Sequence, residues 1–315
     1  MSPQKINKND KIFIAGHLGM VGSAIVRGLL KRGYKNLLTR TRKELDLLDQ
    51  KAVFLFLKKE KPKYIFLAAA KVGGIHANNT FRAQFIYENL ALETNIIHGA
   101  YLAGIQLLNF LGSSCIYPRN CPQPMKEEYL LTGSLEHTNE PYAISKIAGI
   151  KMCENYNKQY GTNYVSAMPT NLYGLNDNYD LNTSHVLPAL IHKTHQAKNN
   201  NEKKLIVWGS GKPLREFLYT DDAAEALIFM MENNVNEGIF NIGTGDEISI
   251  RKLAETVMNV IGFKGEIVFD TDKPDGAPRK LVSVIRLKQL GWQATTRLED
   301  GIAKAYQDFL KQHGN

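Results

Sequence analysis

The stretch KIFIAGHLGMVG, residues 11–22, decides the fold of this chain. It opens with a short apolar run typical of a buried β-strand, and three glycines follow at three-residue spacing. Apolar residues then recur at helical spacing from Val21 to Leu30, where Gly33 closes the pattern. A strand, a glycine turn and a helix in this order indicate a dinucleotide site, because glycines let a pyrophosphate approach the helix N-terminus. The predicted contacts in this turn are Gly16, His17, Leu18, Gly19, Met20, Val21 and Gly22.

The same alternation of strand and helix continues through the first half of the chain. Further short apolar runs lie at Asn36–Thr39, Tyr64–Ala70 and Gln106–Leu111, and helical patterns lie between them at Gln50–Lys59 and Phe85–Ala103. This order predicts an α/β fold of the Rossmann type, with a doubly wound parallel sheet. Ligands of such a sheet bind beyond the carboxyl ends of its strands.

The length of 315 residues favours one nucleotide-binding domain and a smaller α/β lobe that binds substrate. We expect the NADP-binding Rossmann domain at 1–168, with returning segments near 213–245, and mainly the substrate-binding lobe at 169–315. The second half contains helical patterns at Val186–Ala197 and Asp221–Glu232 and strand patterns at Leu205–Trp208 and Gly238–Gly243.

Composition excludes several classes of protein. No apolar run approaches the roughly 18 residues that span a bilayer, and the first ten residues are polar, so we expect a soluble, cytoplasmic protein. Three cysteines without paired ligand spacing predict neither a disulfide framework nor a bound metal. The net charge of +8 is not concentrated in a basic run, which favours a phosphate-rich small ligand over nucleic acid as a partner.

A basic cluster follows the second predicted strand. An NAD site usually has Asp or Glu there for the ribose hydroxyl, whereas this chain has Arg40 and Arg42. The cluster therefore favours NADP, the alternative being an ordinary solvated loop. Asp46 and Asp49 are equally suited to capping a helix and to reaching the adenine edge.

Tyr142 and Lys146 are four residues apart at the start of a long helical stretch, so they share one helix face. A neighbouring ammonium together with an oxidised nicotinamide would lower the phenol pKa, which suits Tyr142 to proton transfer at a carbonyl oxygen as a hydride arrives at carbon. Ser113 follows a predicted strand and would hydrogen-bond the same carbonyl. A pair with this spacing is often only a feature of a helix surface; the glycine turn and the serine favour catalysis here.

Several longer strings resemble the GDP-L-fucose synthase family of extended short-chain dehydrogenase/reductases. They are GHLGMVGSAIVR, LAAAKVGGIHANNT, FLGSSCIYP, TNEPYAISKIAGIK, MPTNLYG, VWGSGKPLREF and KPDGAPRK, and the resemblance runs from about Lys11 to about Leu310. It implies epimerisation at C3 and C5 of a GDP-4-keto-6-deoxy sugar, followed by reduction at C4 with NADPH. It also implies a homodimer that pairs through the long helices near Phe85–Ala103 and Tyr142–Gln159.

The resemblance assigns site residues by their match to the family's motifs. Ser113, Tyr142 and Lys146 match the reductase set, and Cys115 and His185 match the epimerase pair. The further residues implied to contact the cofactor are Leu111, Gly112, Ser113, Ser114, Lys146, Pro169, Thr170, Asn171, Leu172 and His185. Those implied to contact the substrate are Lys193, Trp208, Arg215 and Asp275.

The chain departs from the family pattern at three positions. Lys193 and Leu18 stand where arginines are familiar, and Ser145 replaces a small apolar residue. Lysine keeps the charge of arginine but loses its bidentate geometry, so substrate contact at Lys193 is weakened. The alternative function is a C4 reductase of a related GDP-4-keto sugar, such as a heptose, with little or no epimerase activity. A non-catalytic Rossmann sensor or a nucleic-acid binder is the remaining alternative.

Overall fold

The computed structural model describes residues 6–273 and 275–313. Residues 1–5, included in the expected polar start of the chain, lie outside this part. The strands are β1 (Ile12–Ala15), β2 (Leu37–Leu38), β3 (Tyr64–Leu67), β4 (Leu107–Leu111), β5 (Asn163–Pro169), β6 (Asn171–Tyr173), β7 (Lys204–Trp208), β8 (Leu214–Arg215), β9 (Phe217–Tyr219), β10 (Gly238–Ile242), β11 (Ile248–Ser249), β12 (Glu266–Asp270) and β13 (Arg279–Lys280). The helices are α1 (Met20–Lys31), α2 (Gln50–Glu60), α3 (Ile75–Thr80), α4 (Arg82–Leu102), α5 (Glu140–Tyr160), α6 (Val186–Asn199), α7 (Thr220–Glu232), α8 (Ile250–Ile261), α9 (Ile285–Gln289) and α10 (Leu298–His313).

A parallel sheet of six strands forms the centre of the molecule. Its order is β10-β5-β4-β3-β1-β2, and Ile12 of β1 lies opposite Leu37 on one side and Tyr64 on the other. The chain leaves β1 in one direction to form β2 and then returns past it to form β3, so the switch point lies between β1 and β3. The predicted α/β, doubly wound Rossmann-type fold is confirmed.

Helices cover both faces of this sheet because the strands are apolar on both sides. Every residue of β1 and β3 is buried. On one face, α1 and α7 contribute Ile25 and Leu227 to the core. On the other face, α2, α4 and α5 contribute Leu57, Ile96 and Ile150. The sheet is thereby held rigid, and its carboxyl edge is left for the glycine turn and the ends of β3, β4 and β5.

A separate apolar core forms beside the sheet. The helices α6, α8 and α10 pack with β7 and β12, a parallel pair, around residues such as Ile191, Leu253 and Phe309. The apolar face of α8 recurs at helical spacing, and Ser249 caps its first turn by accepting from the amide of Lys252 at 3.1 Å. Among the helices of the described residues, none is long and apolar enough to cross a membrane.

The second half of the chain contains elements that the sequence pattern did not predict. β5, α8 and α10 are absent from the expectations above, although β5 is an interior strand of the sheet. The chain returns to the sheet at α7, which packs on α1, and at β10, which pairs with β5.

Candidate active site

The glycine turn is shaped to accept a ligand at the N-terminus of α1. Gly16 has φ +89°, and a Cβ there would lie 2.7 Å from the backbone nitrogen of Ala69, so only glycine fits. A Cβ at Gly22 would overlap the carbonyl oxygen of Gly16. Gly19 stands at the N-cap position and has no side chain to cap the helix, which leaves the first amides for an anion.

The uncapped start of α1 and the side chain of His17 show whether a dinucleotide fits this turn. Nδ1 of His17 is buried and has no hydrogen-bond partner among the described residues, so it is suited to a polar group of a ligand. Leu18, next to it, is 68% exposed. The uncapped helix end and the free His17 nitrogen together fit a bound pyrophosphate.

The two arginines after β2 differ in their surroundings. The guanidinium of Arg40 donates to the carbonyl of Thr39 at 2.7 Å and lies over the ring of Phe56. Arg42 is exposed, and its nearest carboxylate is that of Asp46, at 3.8 Å. Asp49 caps α2 by accepting from the amide of Ala52, which settles one of the two alternatives left open for it. Arg42 is thus the freer of the two cations for a phosphate.

The Tyr142–Lys146 pair lies at the start of α5, beneath the end of β4. Nζ of Lys146 is buried, donates to the carbonyl of Leu111 at 2.9 Å, and lies 5.7 Å from the centre of the Tyr142 ring. It also lies 2.9 Å from Oε1 of Glu93 on α4, a carboxylate that is itself buried. The carbonyl oxygen of Leu111 and the carboxylate of Glu93 therefore position the ammonium.

The pKa of Tyr142 is raised in this structure, whereas the lowering predicted above is the effect of Lys146 together with an oxidised nicotinamide. Desolvation is the main cause, and the neighbouring Cys115 and Glu93 add to it, while a hydrogen bond with Ser113 acts in the other direction. The sequence expectation omitted Glu93, whose negative charge offsets that of Lys146. In this structure Tyr142 is a protonated phenol, the form of an acid.

The turn after β4 brings the predicted serine and cysteine together. Ser113 caps a 3₁₀ turn at Ser114–Ile116, and its hydroxyl accepts from the amide of Cys115 at 3.3 Å. Ser114 is buried, and Gly112 donates to the carbonyl of Ala167 on β5 at 2.8 Å. The turn is therefore fixed to the carboxyl edge of the sheet.

Cys115 has two further contacts from distant parts of the chain. Its sulfur accepts from Nδ2 of Asn139 at 3.3 Å and from Nζ of Lys280 at 3.4 Å. An ammonium beside the sulfur stabilises the negative charge that forms when the thiol gives up its proton. The cysteine thus has polar partners at its sulfur, whereas an apolar packing role would surround it with carbon atoms.

His185 lies at the N-cap of α6 and belongs to the same charged surroundings. Desolvation lowers the pKa of His185, and the Lys280 ammonium lowers it further. The residue nevertheless remains accessible to solvent. Lys280 therefore acts on both members of the predicted epimerase pair.

The predicted substrate residues divide into two groups. Nζ of Lys193 lies 4.6 Å from the ring centre of Trp208, and Nζ of Lys273 lies 5.5 Å from it. Trp208 is 55% exposed, so its ring is available to a ligand. Burial lowers the pKa of Lys193.

Arg215 and Asp275 form the second group. Arg215 donates to the carbonyl of Leu214 at 2.8 Å, and desolvation lowers its pKa against the opposing effect of Asp275. Asp275 accepts from the amide and hydroxyl of Ser210 at 2.6 and 2.7 Å, which holds the turn between Gly209 and Gly211. The carboxylate of Asp275 thus stabilises the conformation of this loop.

The predicted contacts from Pro169 to Leu172 connect β5 to β6. Thr170 is buried and donates through its amide to the carbonyl of Ile242 at 3.0 Å, and Asn171 donates to the carbonyl of Glu216 at 2.8 Å. These bonds fix the loop at the carboxyl edge of the sheet, next to the end of β10.

The sequence argument did not single out three residues around the proton-transfer groups: Glu93, Asn139 and Lys280. Asn139 and Lys280 lie in the quoted strings TNEPYAISKIAGIK and KPDGAPRK, so a signal was present for them. Glu93 lies in a helix where periodicity predicts only packing, and its contact with Lys146 across two helices has no sequence signal.

A glycine turn at a helix N-terminus, with an acid–base pair on the neighbouring edge of a parallel sheet, defines a dinucleotide-binding enzyme of the Rossmann class. The chain belongs to the NAD dependent epimerase/dehydratase family, whose model matches residues 12–243.

Known proteins resemble the chain over nearly its whole length. A GDP-L-fucose synthase from Sinorhizobium fredii is 54% identical over 308 residues, which cover 98% of each chain. One from Escherichia coli is 54% identical and covers 96% of this chain and 97% of its own. Among solved structures, a GDP-mannoheptose C4 reductase from Campylobacter jejuni with NADP bound is 42% identical with a TM-score of 0.89, covering 96% of this chain and 99% of that one.

Proposed function

We propose that the chain is an NADPH-dependent GDP-4-keto-6-deoxymannose 3,5-epimerase/4-reductase that forms GDP-L-fucose. The observation that carries the proposal is the contact of Lys280 with the Cys115 sulfur, within the same turn that brings Ser113 to Tyr142. A thiol with an ammonium 3.4 Å away has the electropositive surroundings of a reactive cysteine. The similarity to GDP-L-fucose synthases over almost the full chain supports it.

The glycine turn, His17 and Arg42 are proposed to hold the cofactor. The amides at the start of α1 would bind the pyrophosphate, and exposed Arg42 would bind the 2′-phosphate that distinguishes NADP. NADPH supplies the hydride for C4 when it is bound. Lys146, held by the Leu111 carbonyl, would orient the nicotinamide ribose.

Reduction requires a proton at the C4 oxygen. Tyr142 is a protonated phenol in this structure, because burial raises its pKa. Its hydroxyl donates this proton, and Ser113 hydrogen-bonds the same oxygen. The Lys146 ammonium then stabilises the phenolate that remains.

Epimerisation uses the acidity of the carbon atoms beside the ketone. The C4 carbonyl acidifies the protons at C3 and C5, and one acid and one base on opposite faces of the ring invert each centre. Cys115 and His185 are proposed as this pair, which carries one transferable proton between them. Nζ of Lys280 lies 3.4 Å from the sulfur and places a cation beside the proposed proton-transfer atom.

Substrate binding is assigned to the second lobe. Exposed Trp208 would support the sugar nucleotide, and Lys193 and Arg215 would bind its diphosphate. Asp275 would act chiefly by holding the loop at Ser210. The exposed side chains of Tyr87 and Leu102 on α4 and Tyr160 on α5 support a homodimer through these helices.

A second candidate is a C4 reductase of a GDP-4-keto-heptose. The cation–π pair of Lys193 and Trp208 favours this candidate. A lysine at this position would bind a diphosphate through a single point of charge, and this looser contact would allow a larger range of sugars. The similarity to the heptose C4 reductase supports the same reading.

One incubation separates the two candidates. The protein is mixed with NADPH and GDP-4-keto-6-deoxymannose, or with the corresponding GDP-4-keto-heptose, in D₂O, and products are examined by NMR. The proposal predicts reduction of the hexose with deuterium at C3 and C5. Reduction without deuterium would support the C4 reductase, and no NADPH oxidation with either sugar would overturn both.

A further inference from the structure

Glu93 is a buried acidic residue that the reaction described above does not use. It lies on α4, 1% exposed, with Oε1 2.9 Å from Nζ of Lys146, which is also 1% exposed. Both carboxylate oxygens are buried and neither has a hydrogen-bond partner among the described residues, so the contact with Lys146 is an ion pair. A buried carboxylate with so few partners is costly, so its retention beside the reactive groups calls for a function.

The ion pair fixes where the lysine points. The ammonium of Lys146 has three donors, of which one bonds to the carbonyl of Leu111. The carboxylate of Glu93 attracts the same ammonium as an ion-pair partner at 2.9 Å. The donors that do not bond to Leu111 can serve a ligand.

The charged and titratable groups around this pair come from three elements. Lys146, Tyr142 and Cys153 belong to α5, Cys115 belongs to the turn after β4, and Glu93 belongs to α4. Burial raises the pKa of Glu93, and Lys146 opposes that rise. Burial raises the pKa of the Cys153 thiol, so it adds no charge here, and the ion pair at 2.9 Å makes Glu93 the acidic side chain that faces Lys146.

We propose that Glu93 is a positioning residue that fixes Lys146 and holds Tyr142 in its protonated form until the ketone is reduced. The inference rests on the reductase function proposed above. In the step concerned, hydride forms the new C–H bond at C4, the O–H bond of Tyr142 breaks, and its proton goes to the C4 oxygen. The phenolate is later reprotonated from solvent.

Removing the carboxylate leaves the Lys146 charge unopposed beside the phenol. The phenolate then becomes easier to form, and Tyr142 loses its proton at a lower pH. By keeping Tyr142 protonated to a higher pH, Glu93 extends the pH range of reduction in the alkaline direction.

The test compares Glu93→Gln with the unaltered protein in two measurements. In steady-state reduction, the alkaline fall of kcat/KM should move to lower pH by about one unit. The second measurement is a titration of tyrosine absorbance at 295 nm. The contribution of Tyr142 is the difference between each protein and the same protein that also carries Tyr142→Phe. The pKa of this contribution should also move to lower pH. The second measurement needs neither cofactor nor turnover.

Glu154→Gln is the matched control. Glu154 lies on α5, as Tyr142 does, and pairs with Lys151 at 2.8 Å in a partly exposed position. This change should move neither the alkaline fall nor the titration. An equal shift in both variants would show a general effect of lost charge and would overturn the proposal.

The two failures are distinguishable. If the unaltered protein reduces no GDP-4-keto sugar, the function is wrong, yet the titration at 295 nm still tests Glu93. If Glu93→Gln does not fold, Glu93→Asp carries the test, because its shorter side chain weakens the contact with Lys146. A smaller downward shift is then expected, and no shift or an upward shift would overturn the proposal.

Discussion

The two groups proposed for proton transfer differ in how the protein surrounds them. Tyr142 stands above a buried ammonium that is balanced by a buried carboxylate, all within α4 and α5. Cys115 and His185 instead share one cation, Lys280, and His185 is exposed. Burial raises the pKa of Tyr142, whereas desolvation and the Lys280 ammonium lower the pKa of His185. The two proposed groups thus differ in their electrostatic surroundings.

The largest effect is expected from Tyr142→Phe, which removes the proton donor of reduction. NADPH oxidation should fall by roughly 10²- to 10⁴-fold, because general acid catalysis contributes about that much. Deuterium exchange at C3 and C5 should continue, since Cys115 and His185 are unchanged. Tyr156→Phe is the control, as Tyr156 lies on the same helix and bonds to His98. Normal reduction by Tyr142→Phe would remove Tyr142 from the mechanism.

Cys115→Ser should produce the converse result. Exchange of deuterium into the substrate should fall by roughly 10²-fold or more, while reduction of the ketone persists. The measurement is NMR of the recovered sugar nucleotide after incubation in D₂O. Cys121→Ser serves as the control, because Cys121 is also a partly exposed free thiol. If exchange were unaltered in Cys115→Ser, another base would have to be found.

Lys280→Met should slow the deuterium exchange assigned to Cys115 and His185 more than the reduction assigned to Tyr142. Loss of the ammonium beside the Cys115 sulfur should slow deuterium exchange by about ten-fold, which corresponds to about 1.4 kcal/mol in the barrier. Reduction rates should change less than exchange rates. Lys252→Met, which removes an exposed lysine of α8, should alter neither rate. Equal loss of both activities in Lys280→Met would contradict the division of the site.

The smallest expected effect is on the titration of His185. Lys280 is the second cause of its lowered pKa, after desolvation, so Lys280→Met should raise the pKa of His185 only part of the way to its ordinary value. The sign follows from charge, because removing a cation makes protonation of imidazole easier. Histidine NMR across pH measures this, with His185→Gln to assign the signal. An unchanged or lowered pKa would show that Lys280 does not act on His185.

Local patterns predicted the fold and one of these groups. The strand and glycine turn at 11–22 and the four-residue spacing of Tyr142 and Lys146 are read within single elements, and both appear in the structure. β5 was missed although it is an interior strand. Its sequence NYVSAMP mixes polar and apolar residues and ends in a proline.

The charged partners of the site could not be predicted in the same way. Lys280 and Cys115 are 165 positions apart, and only the return of the chain through β13 brings them together. Glu93 meets Lys146 because α4 packs on α5, and a glutamate within a long helix otherwise indicates an exposed face. The raised pKa of Tyr142 follows mainly from its burial, with Cys115 and Glu93 adding to it, and these tertiary contacts have no local sequence signal.

The central claim is that one cleft holds two separable proton-transfer groups, and a sequential experiment tests it most directly. GDP-4-keto-6-deoxymannose is incubated with Tyr142→Phe in D₂O, the protein is removed by filtration, and Cys115→Ser and NADPH are added; a parallel sample omits the first protein. The reduced product should carry deuterium at C3 and C5 only in the first sample. A reduced product with no excess of deuterium over the parallel sample would contradict the account.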